Sequence, residues 1–223
     1  MKINCKNISK AYFNSDRSSK NIVINDISLL IESGDSLAIT GPSGVGKSTL
    51  LNIISGLDYQ DKGEIFFDDF CFSNLSTTKK TKFRLQNISL VFQSHNLLKD
   101  FNVFENILLP LMYKGLSKKD AKKIADESLE YVNMIDHKFS SISTLSGGEA
   151  QRVGIARAIS MQSKIILADE PTGNLDNESS LSIMSYLIKI CSEKRITLIV
   201  VSHDNNILGL FKNINKLFDG KII

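Results

Sequence analysis

A glycine-rich stretch decides the fold: Gly41-Pro42-Ser43-Gly44-Val45-Gly46-Lys47-Ser48-Thr49. It fits the pattern G-x-x-x-x-G-K-[ST], with strand character before it at residues 36–40 and helical character after it at residues 50–55. In that context the glycines let the backbone curl, so that successive N–H groups point at one position beside a helix N-terminus. Lys47 adds a full positive charge, and the Ser48 hydroxyl is placed to coordinate Mg²⁺. The stretch therefore predicts a phosphate-binding loop between a strand and a helix.

Two carboxylates follow a second strand-like run. Residues 164–168 and 196–201 are two apolar runs of the kind found in strands of sheets that are covered on both faces. The first run ends in Asp169 and Glu170, at the carboxyl end of the strand, where open α/β sheets place their ligands. We expect Asp169 to hold Mg²⁺ and Glu170 to orient or deprotonate the attacking water. His203 follows the second run, and we expect it to reach the γ phosphate.

The rest of the chain separates into strand and helix patterns. Up to about residue 70, apolar and polar positions alternate in short runs. We predict strands there at residues 22–24, 27–31 and 64–67, with a polar loop at 14–21 that joins two edge strands. Helical spacing then extends from about residue 94 to 162 and is clearest at 121–134. A helix at residues 181–192 lies between the last two strands, which makes a βαβ unit with parallel pairing.

A second helix start carries the features of an anion site. In Leu145-Ser146-Gly147-Gly148-Glu149, Ser146 is an N-cap and Glu149, three residues on, completes a capping box. Two glycines and a capping serine at a helix N-terminus bind anions well. The chain therefore has two phosphate cradles and one set of acids, which indicates a nucleotide shared between two copies of the chain.

Composition excludes several classes of protein. The chain has 223 residues, and its 27 Lys and Arg against 24 Asp and Glu give a net charge of +3. That balance is too weak to predict a nucleic-acid partner. No apolar run approaches the ~18 residues of a spanning helix, and Met1-Lys2-Ile3-Asn4-Cys5 does not begin an export signal, so we expect no transmembrane segment and no export. We expect Cys5, Cys71 and Cys191 to be reduced packing residues.

Six motifs, in order along the chain, resemble those of the ATP-binding cassette (ABC) ATPase subunits of transporters. They are the loop at 41–49, Gln93 in Val91-Phe92-Gln93, Leu145-Ser146-Gly147-Gly148-Glu149, Leu167-Ala168-Asp169-Glu170-Pro171, Asn174-Leu175-Asp176 and His203. The resemblance covers essentially the whole chain. Residues 171–176 and 105–111 further resemble the bacterial branch that includes macrolide exporters, lipoprotein-releasing complexes and the cell-division pair.

This resemblance implies a role for each matching residue. Tyr12 would stack on adenine. Gln93 would join Ser48 at Mg²⁺ and sense the γ phosphate. Ser146, Gly147, Gly148 and Glu149 would contact the ATP held by the other subunit, so that two chains close head to tail over two ATP molecules. Asp176 would line that interface and link the two sites.

The resemblance also implies fold, partners and location. The expected fold is α/β: a P-loop NTPase core with a mostly parallel sheet, an N-terminal antiparallel β subdomain and an inserted helical subdomain at about residues 94–160. We expect one ABC ATPase domain over residues 1–223 that uses ATP and Mg²⁺ and powers transport. An integral membrane permease would dock on residues 94–115, and this would hold the chain at the cytoplasmic side of the inner membrane.

Two other functions use similar parts. A regulatory ATPase of the cell-division type would signal across the membrane without moving cargo, and only its partner distinguishes it. DNA-repair ATPases place long coiled coils or extra domains between the phosphate loop and the second anion site, and this chain has none there. We therefore interpret the basic clusters at residues 79–84 and 118–123 as solvated helix faces and expect no nucleic acid.

Overall fold

The strands of the chain form two sheets that carry helices on their faces. The computed structural model describes residues 1–13, 19–173 and 175–223. Its strands are β1 (Ile3–Phe13), β2 (Lys20–Ile31), β3 (Ser36–Thr40), β4 (Lys62–Phe67), β5 (Phe70–Cys71), β6 (Ile88–Val91), β7 (Ile165–Asp169), β8 (Thr197–Val201), β9 (Asn213–Phe218) and β10 (Lys221–Ile222). Its helices are α1 (Lys47–Ser55), α2 (Thr77–Asn87), α3 (Val103–Tyr113), α4 (Lys118–Tyr131), α5 (Gly147–Ser160), α6 (Asn177–Glu193) and α7 (Asn205–Leu208).

The larger sheet positions the site. Within the described residues it has the strand order β10-β9-β3-β8-β7-β6. Each pair from β9 to β6 is parallel, and β10 alone runs antiparallel, against β9. The predicted βαβ unit is confirmed, because α6 connects β7 to the adjacent parallel strand β8. The parallel strands therefore end at one common edge, and the loops that follow them lie together.

Strand alternation divides the hydrophobic core into two clusters. Side chains of β7 alternate between them: Ile166 and Ala168 pack with α3–α6, while Ile165 and Leu167 pack with α1 and the smaller sheet. This is the period of two that a strand imposes on its side chains. The helices α3, α4 and α5 thus share a cluster with one face of the large sheet.

The smaller sheet confirms the predicted antiparallel region and corrects its details. Its order is β2-β1-β4-β5, with antiparallel pairs throughout. Residues 22–24 and 27–31, predicted as separate strands, belong to the single strand β2. Of the predicted polar loop, residues 14–18 lie outside the described residues, and Lys20 and Asn21 are part of β2. β1 is not an edge strand, since it pairs on both sides; its polar residues reflect one exposed face.

The helical middle of the chain is confirmed. The predicted helix at 121–134 is α4, which ends at Tyr131. Leu129 and Val132 are buried, and the partly buried Ile124 and Ile135 pack against the same cluster. Two short 3₁₀ turns, Ile135–His137 and Ile142–Thr144, connect α4 to α5.

The two basic clusters differ in burial. Lys118, Lys119, Lys122 and Lys123 of α4 are exposed, as predicted. The prediction is wrong for Lys80 of α2, which is 4% exposed and lies over the rings of Tyr59 and Phe72 at 4.7 and 5.4 Å. Its long apolar stem can be buried while the rings attract the ammonium group. No helix in the described parts of the chain is both long and apolar enough to cross a membrane.

Candidate functional site

The phosphate loop lies at the carboxyl edge of the large sheet, between β3 and α1. It encloses one side of a cavity of about 560 Å³, which we call the phosphate cavity after this loop. The other sides come from residues that end or follow three neighbouring strands, β6, β7 and β8. The lining residues are Gly41, Pro42, Ser43, Gly44, Gly46, Lys47, Ser48, Thr49, Gln93, Asp169, Glu170, Val201 and His203. Predicted site residues that are far apart in sequence therefore meet in one cavity, at the edge where parallel sheets bind ligands.

Backbone packing explains two glycines of this loop. A Cβ atom on Gly41 would lie 2.1 Å from the carbonyl oxygen of Leu217 in β9. A Cβ atom on Gly46, where φ is +105°, would lie 2.7 Å from Cγ1 of Val23. Any larger residue at either position would push the loop away from the strands that shape it.

Lys47 supplies an unneutralised positive charge to the cavity. It is 8% exposed, and its Nζ donates hydrogen bonds to the carbonyl oxygens of Gly41 (2.8 Å) and Pro42 (2.9 Å). Among the residues that the structure describes, no carboxylate forms an ion pair with it. A buried ammonium without an anion is costly, so the cavity favours a phosphate group.

The acidic side of the cavity has two distinct carboxylates. Oδ1 of Asp169 is buried and has no hydrogen-bond partner within the described residues. Glu170 is largely buried, and its Oε1 lies 2.7 Å from Nδ1 of the exposed His203. The backbone of Glu170 is left-handed, with φ +46°, and its N–H donates to the carbonyl of Val201 at 3.0 Å. This rare conformation turns the chain as β7 ends and holds the two carboxylates in different environments.

Tyr12 lies outside the cavity lining and is 40% exposed. Its hydroxyl donates to Oδ2 of Asp58 and also hydrogen-bonds Thr49 of the phosphate loop. Nζ of Lys10 lies 4.9 Å from the ring centroid and donates to Oδ1 of Asp58 at 3.0 Å. Lys10 thus covers one face of the ring.

The contacts of Tyr12 also change two pKa values. Burial and then the hydrogen bond to Asp58 raise the pKa of Tyr12. Burial alone would raise the pKa of Asp58, but hydrogen bonds from Tyr12, Lys10 and the backbone of Tyr59 outweigh it and lower that pKa. Asp58 therefore stays ionised, and the tyrosine stays a hydroxyl donor at neutral pH.

The second predicted anion site forms a separate cavity of about 590 Å³. The capping box is confirmed: the backbone N–H of Glu149 donates to Oγ of Ser146 at 3.2 Å, and that of Ser146 donates to Oε2 of Glu149 at 2.8 Å. Hydrogen bonds from Ser146 are the main reason that the pKa of Glu149 is lowered. Asp176 caps α6 by accepting from the N–H of Ser179 at 2.9 Å. The lining residues are Ser146, Gly147, Gly148, Glu149, Arg152, Leu175, Asp176 and Ser179.

The two cavities share no lining residue. Of the predicted phosphate-loop residues, Val45 does not line the first cavity, because its side chain packs against the cluster under the smaller sheet. Asn174, in the motif before Asp176, lies outside the described residues.

Sequence reasoning left several contacts unfound. His95 belongs to none of the sequence motifs, yet its Nδ1 hydrogen-bonds Oε1 of Gln151 in α5. Asp58 and Lys10 support Tyr12, although nothing in their spacing indicates it. The burial of a polar helix residue, such as Gln151, would have indicated the contact with His95. Burial is a property of the tertiary structure, however, and cannot be read from the sequence pattern.

The fold and the cavity together define an ATPase with a glycine-rich phosphate loop, a strand-end aspartate and an adjacent glutamate. The chain belongs to the ABC transporter family, whose model matches residues 24–173. It is an ATP-binding subunit that hydrolyses ATP to drive transport.

Individual relatives are similar over almost the full length. The lipoprotein-releasing system ATP-binding protein LolD of Treponema denticola is 40% identical over 208 residues, which cover 93% of this chain and 92% of the relative. LolD of Francisella tularensis subsp. holarctica is 39% identical over 226 residues, covering 99% and 95%. A solved dimer of the ATP-binding cassette MJ0796, in a post-hydrolysis state with ADP and Pi, is 36% identical with a TM-score of 0.93 and coverage of 99% and 96%. A dimeric structure of MJ0796 described as a bacterial ABC transporter cassette also has a TM-score of 0.93, at 37% identity.

Proposed function

We propose that this chain powers a transporter of the lipoprotein-releasing type as a head-to-tail dimer of two identical copies. The observation that carries the proposal is the separation of the two cavities. Lys47 and the two carboxylates line one cavity, and Ser146, at the start of α5, lines the other. The two cavities have no lining residue in common. One chain therefore offers two half-sites, and a second copy in head-to-tail orientation completes both. The names of the LolD relatives support the export branch, and the MJ0796 dimers support the pairing.

Each residue of the composite site has a chemical task. The loop amides and Lys47 bind the β and γ phosphates, and Tyr12 stacks on the adenine. Glu170 accepts a proton from the attacking water, and His203, hydrogen-bonded to Glu170, holds that carboxylate and contacts the γ phosphate. Ser146 and the first amides of α5 from the other copy face the same phosphate. Asp176 lines the same cavity as Ser146 and would therefore lie at the subunit interface of the proposed dimer.

The residues of the first cavity also fit a magnesium ion. Buried Oδ1 of Asp169 lacks a hydrogen-bond partner within the described residues, and an oxygen ligand in that situation suits a hard cation. Ser48 and Gln93 line the same cavity and would complete the protein's contribution, directly or through water. Magnesium supplies charge neutralisation for the transferring phosphoryl group.

A mixing experiment tests the dimer. Lys47→Ala removes the phosphate loop's charge, and Gly148→Asp places a carboxylate in the second cavity. Gly148 is not among the residues with positive φ, so the substitution fits the backbone. Each variant alone has two defective composite sites and should be inactive. Mixed in equal amounts, they form heterodimers with one intact site, and we expect phosphate release to reappear. Persistent inactivity in the mixture, with both variants folded, would contradict shared sites.

An apolar groove supports the permease as a partner. A cavity of about 390 Å³ lies where α2, β6, α3 and α5 meet, directly beside the segment that follows Gln93. Its lining includes Leu85, Phe92 and Pro110, and exposed Tyr113 lies at its rim. Unpaired apolar surface of this kind is typical of protein interfaces. We propose that a cytoplasmic segment of the permease binds there and holds the chain at the inner membrane.

Membrane recruitment tests this docking site. Tyr113→Glu places a charge at the groove, at a residue that does not line the cavity of the phosphate loop. It should shift the chain from the membrane fraction to the soluble fraction of the cell. Phosphate release by the purified subunit should not change. Unaltered sedimentation with membranes would contradict docking at this groove.

A further inference from the structure

Gln93 is presented by a short turn with an uncommon backbone. The turn is closed by a hydrogen bond from the N–H of His95 to the carbonyl of Phe92, at 3.2 Å. His95 and the next residue, Asn96, both have left-handed φ values, +60° and +47°. Two consecutive residues other than glycine in this region cost free energy, so surrounding contacts must hold them.

Helix α5 provides the first of those contacts through Gln151. This side chain is 0% exposed. Its Nε2 donates to the carbonyl of Phe92 at 3.5 Å, and its Oε1 pairs with Nδ1 of His95. A single amide group therefore bridges the two ends of the turn that carries Gln93. Because an amide oxygen only accepts, the pair requires a hydrogen on Nδ1 of the imidazole.

Arg157, six residues further along α5, holds the residues that leave the turn. Its Nη2 donates to the carbonyl of His95 and its Nη1 to that of Asn96, both at 2.8 Å. Burial lowers the pKa of this guanidinium. In the described part of the chain no carboxylate forms an ion pair with it. A desolvated cation that is bound only by loop carbonyls is costly for stability alone.

Helix α5 connects the two cavities of the chain. Its N-terminus, at Ser146, lines the second cavity, which faces the other copy in the proposed dimer. Its middle holds the turn of Gln93, which lines the phosphate cavity of the same chain. A helix is a stiff element, so displacement of its first turn moves the groups that hold the turn.

We propose that Gln151 and Arg157 are positioning residues that set the place of Gln93 in the phosphate cavity and link it to contact between the two copies. The inference rests on the proposed function, because it requires Gln93 to act on Mg²⁺ and the γ phosphate. Neither side chain lines the phosphate cavity, so both act through the turn.

The test is a double-mutant cycle in the full chain with Mg²⁺ and ATP. Arg157→Lys keeps the charge but loses the two-pronged contact, and we expect kcat to fall about tenfold, the usual effect of losing one charge-assisted hydrogen bond. Affinity for ADP measured with EDTA should stay within about twofold, because Gln93 acts only with the metal and the γ phosphate. The double variant Gln93→Ala/Arg157→Lys should be no slower than Gln93→Ala alone. Gln151→Met, which keeps the side-chain volume, serves as the second variant and should show the same lack of additivity.

A matched control separates positioning from loss of stability. Cys191→Ala truncates a fully buried side chain in α6, a helix that supplies none of the hydrogen bonds described for the turn. It should lower the melting temperature without changing the Mg²⁺ concentration at half-maximal rate, whereas Arg157→Lys should raise that concentration. Additive losses of kcat in the double variant would overturn the inference. So would a fall in kcat on Arg157→Lys if Gln93→Ala alone had no effect on kcat. Failure of the proposed dimer is recognised separately, by the mixing experiment.

Discussion

Nδ1 of His203 lies 2.7 Å from Oε1 of Glu170, across two neighbouring strands of the large sheet. Glu170 follows β7 directly and its side chain is 14% exposed, whereas that of His203, beyond the end of β8, is 74% exposed. One carboxylate oxygen is thus occupied by the imidazole, which orients the carboxylate in the phosphate cavity. The imidazole itself remains open to solvent and to an approaching subunit.

Glu170→Gln should separate nucleotide binding from turnover. The amide keeps the size of the side chain but cannot accept the proton of water, so phosphate release should fall by at least about a hundredfold. With ATP and Mg²⁺ the variant should accumulate as a dimer, detected by light scattering after gel filtration. Glu193→Gln, at the exposed end of α6, is the control and should behave as the unmodified chain. Normal turnover by Glu170→Gln would show that another group accepts the proton.

His203→Ala should lower activity without lowering stability. The imidazole is largely exposed, so its removal leaves no cavity, and the melting temperature should change by less than about 2 °C. Phosphate release should fall at least about tenfold, because the carboxylate of Glu170 loses its orienting partner. A parallel loss of melting temperature and activity would instead point to a structural role.

Two glycines of the phosphate loop should respond differently to alanine. At Gly41 the new methyl would lie 2.1 Å from the carbonyl of Leu217, and we expect a cost of about 3 kcal/mol and a drop in melting temperature of roughly 6–12 °C. At Gly44 no atom lies within 4 Å of the new methyl, and only the strain at φ +77° remains, about 1 kcal/mol. Thermal unfolding without nucleotide measures both. Equal melting temperatures would contradict the contact between this loop and β9.

Tyr12→Phe tests the support of the ring that we propose stacks on adenine. The ring remains, but its hydrogen bonds to Asp58 and Thr49 are lost, so KM for ATP should rise about fivefold, the value of about one hydrogen bond. Asp58→Asn should have a similar effect. Inhibition by tripolyphosphate, which has no base, should not change in either variant. Tyr131→Phe, a half-exposed tyrosine packed against Tyr186, is the control. An altered tripolyphosphate constant would place the defect in the phosphate loop.

The cysteines should differ in reactivity. Burial raises the pKa of Cys5 and of Cys191 to about 12, so at pH 8 only about one thiol in ten thousand is the reactive thiolate. Cys71 is partly exposed in the two-residue strand β5. One equivalent of iodoacetamide should therefore react quickly with the folded chain, and three in denaturant. Mass spectrometry of the labelled peptides identifies the site, and fast labelling at Cys191 would contradict its burial.

Much of the fold is predictable from local patterns. The loop at 41–49, the βαβ unit of β7, α6 and β8, and the capping box at Ser146 each depend on residues within one to three consecutive elements, and the structure contains all three. The position of β1 within its sheet was predicted wrongly, because a strand's neighbours depend on pairing with distant segments. The burial of Lys80 was also missed, since the rings of Tyr59 and Phe72 that cover it come from other elements.

The sequence by itself determined which chemistry the chain can perform. A phosphate loop, strand-end acids and a capped glycine pair are short motifs, and their physical meaning follows from backbone geometry and charge within a few residues. Only the tertiary structure decided how those parts act on one another. It placed the two predicted phosphate cradles in separate cavities, paired His203 with Glu170, and held the turn of Gln93 against α5 through Gln151 and Arg157. These are contacts between residues far apart along the chain, and they exist only after the sheet and its helices have packed.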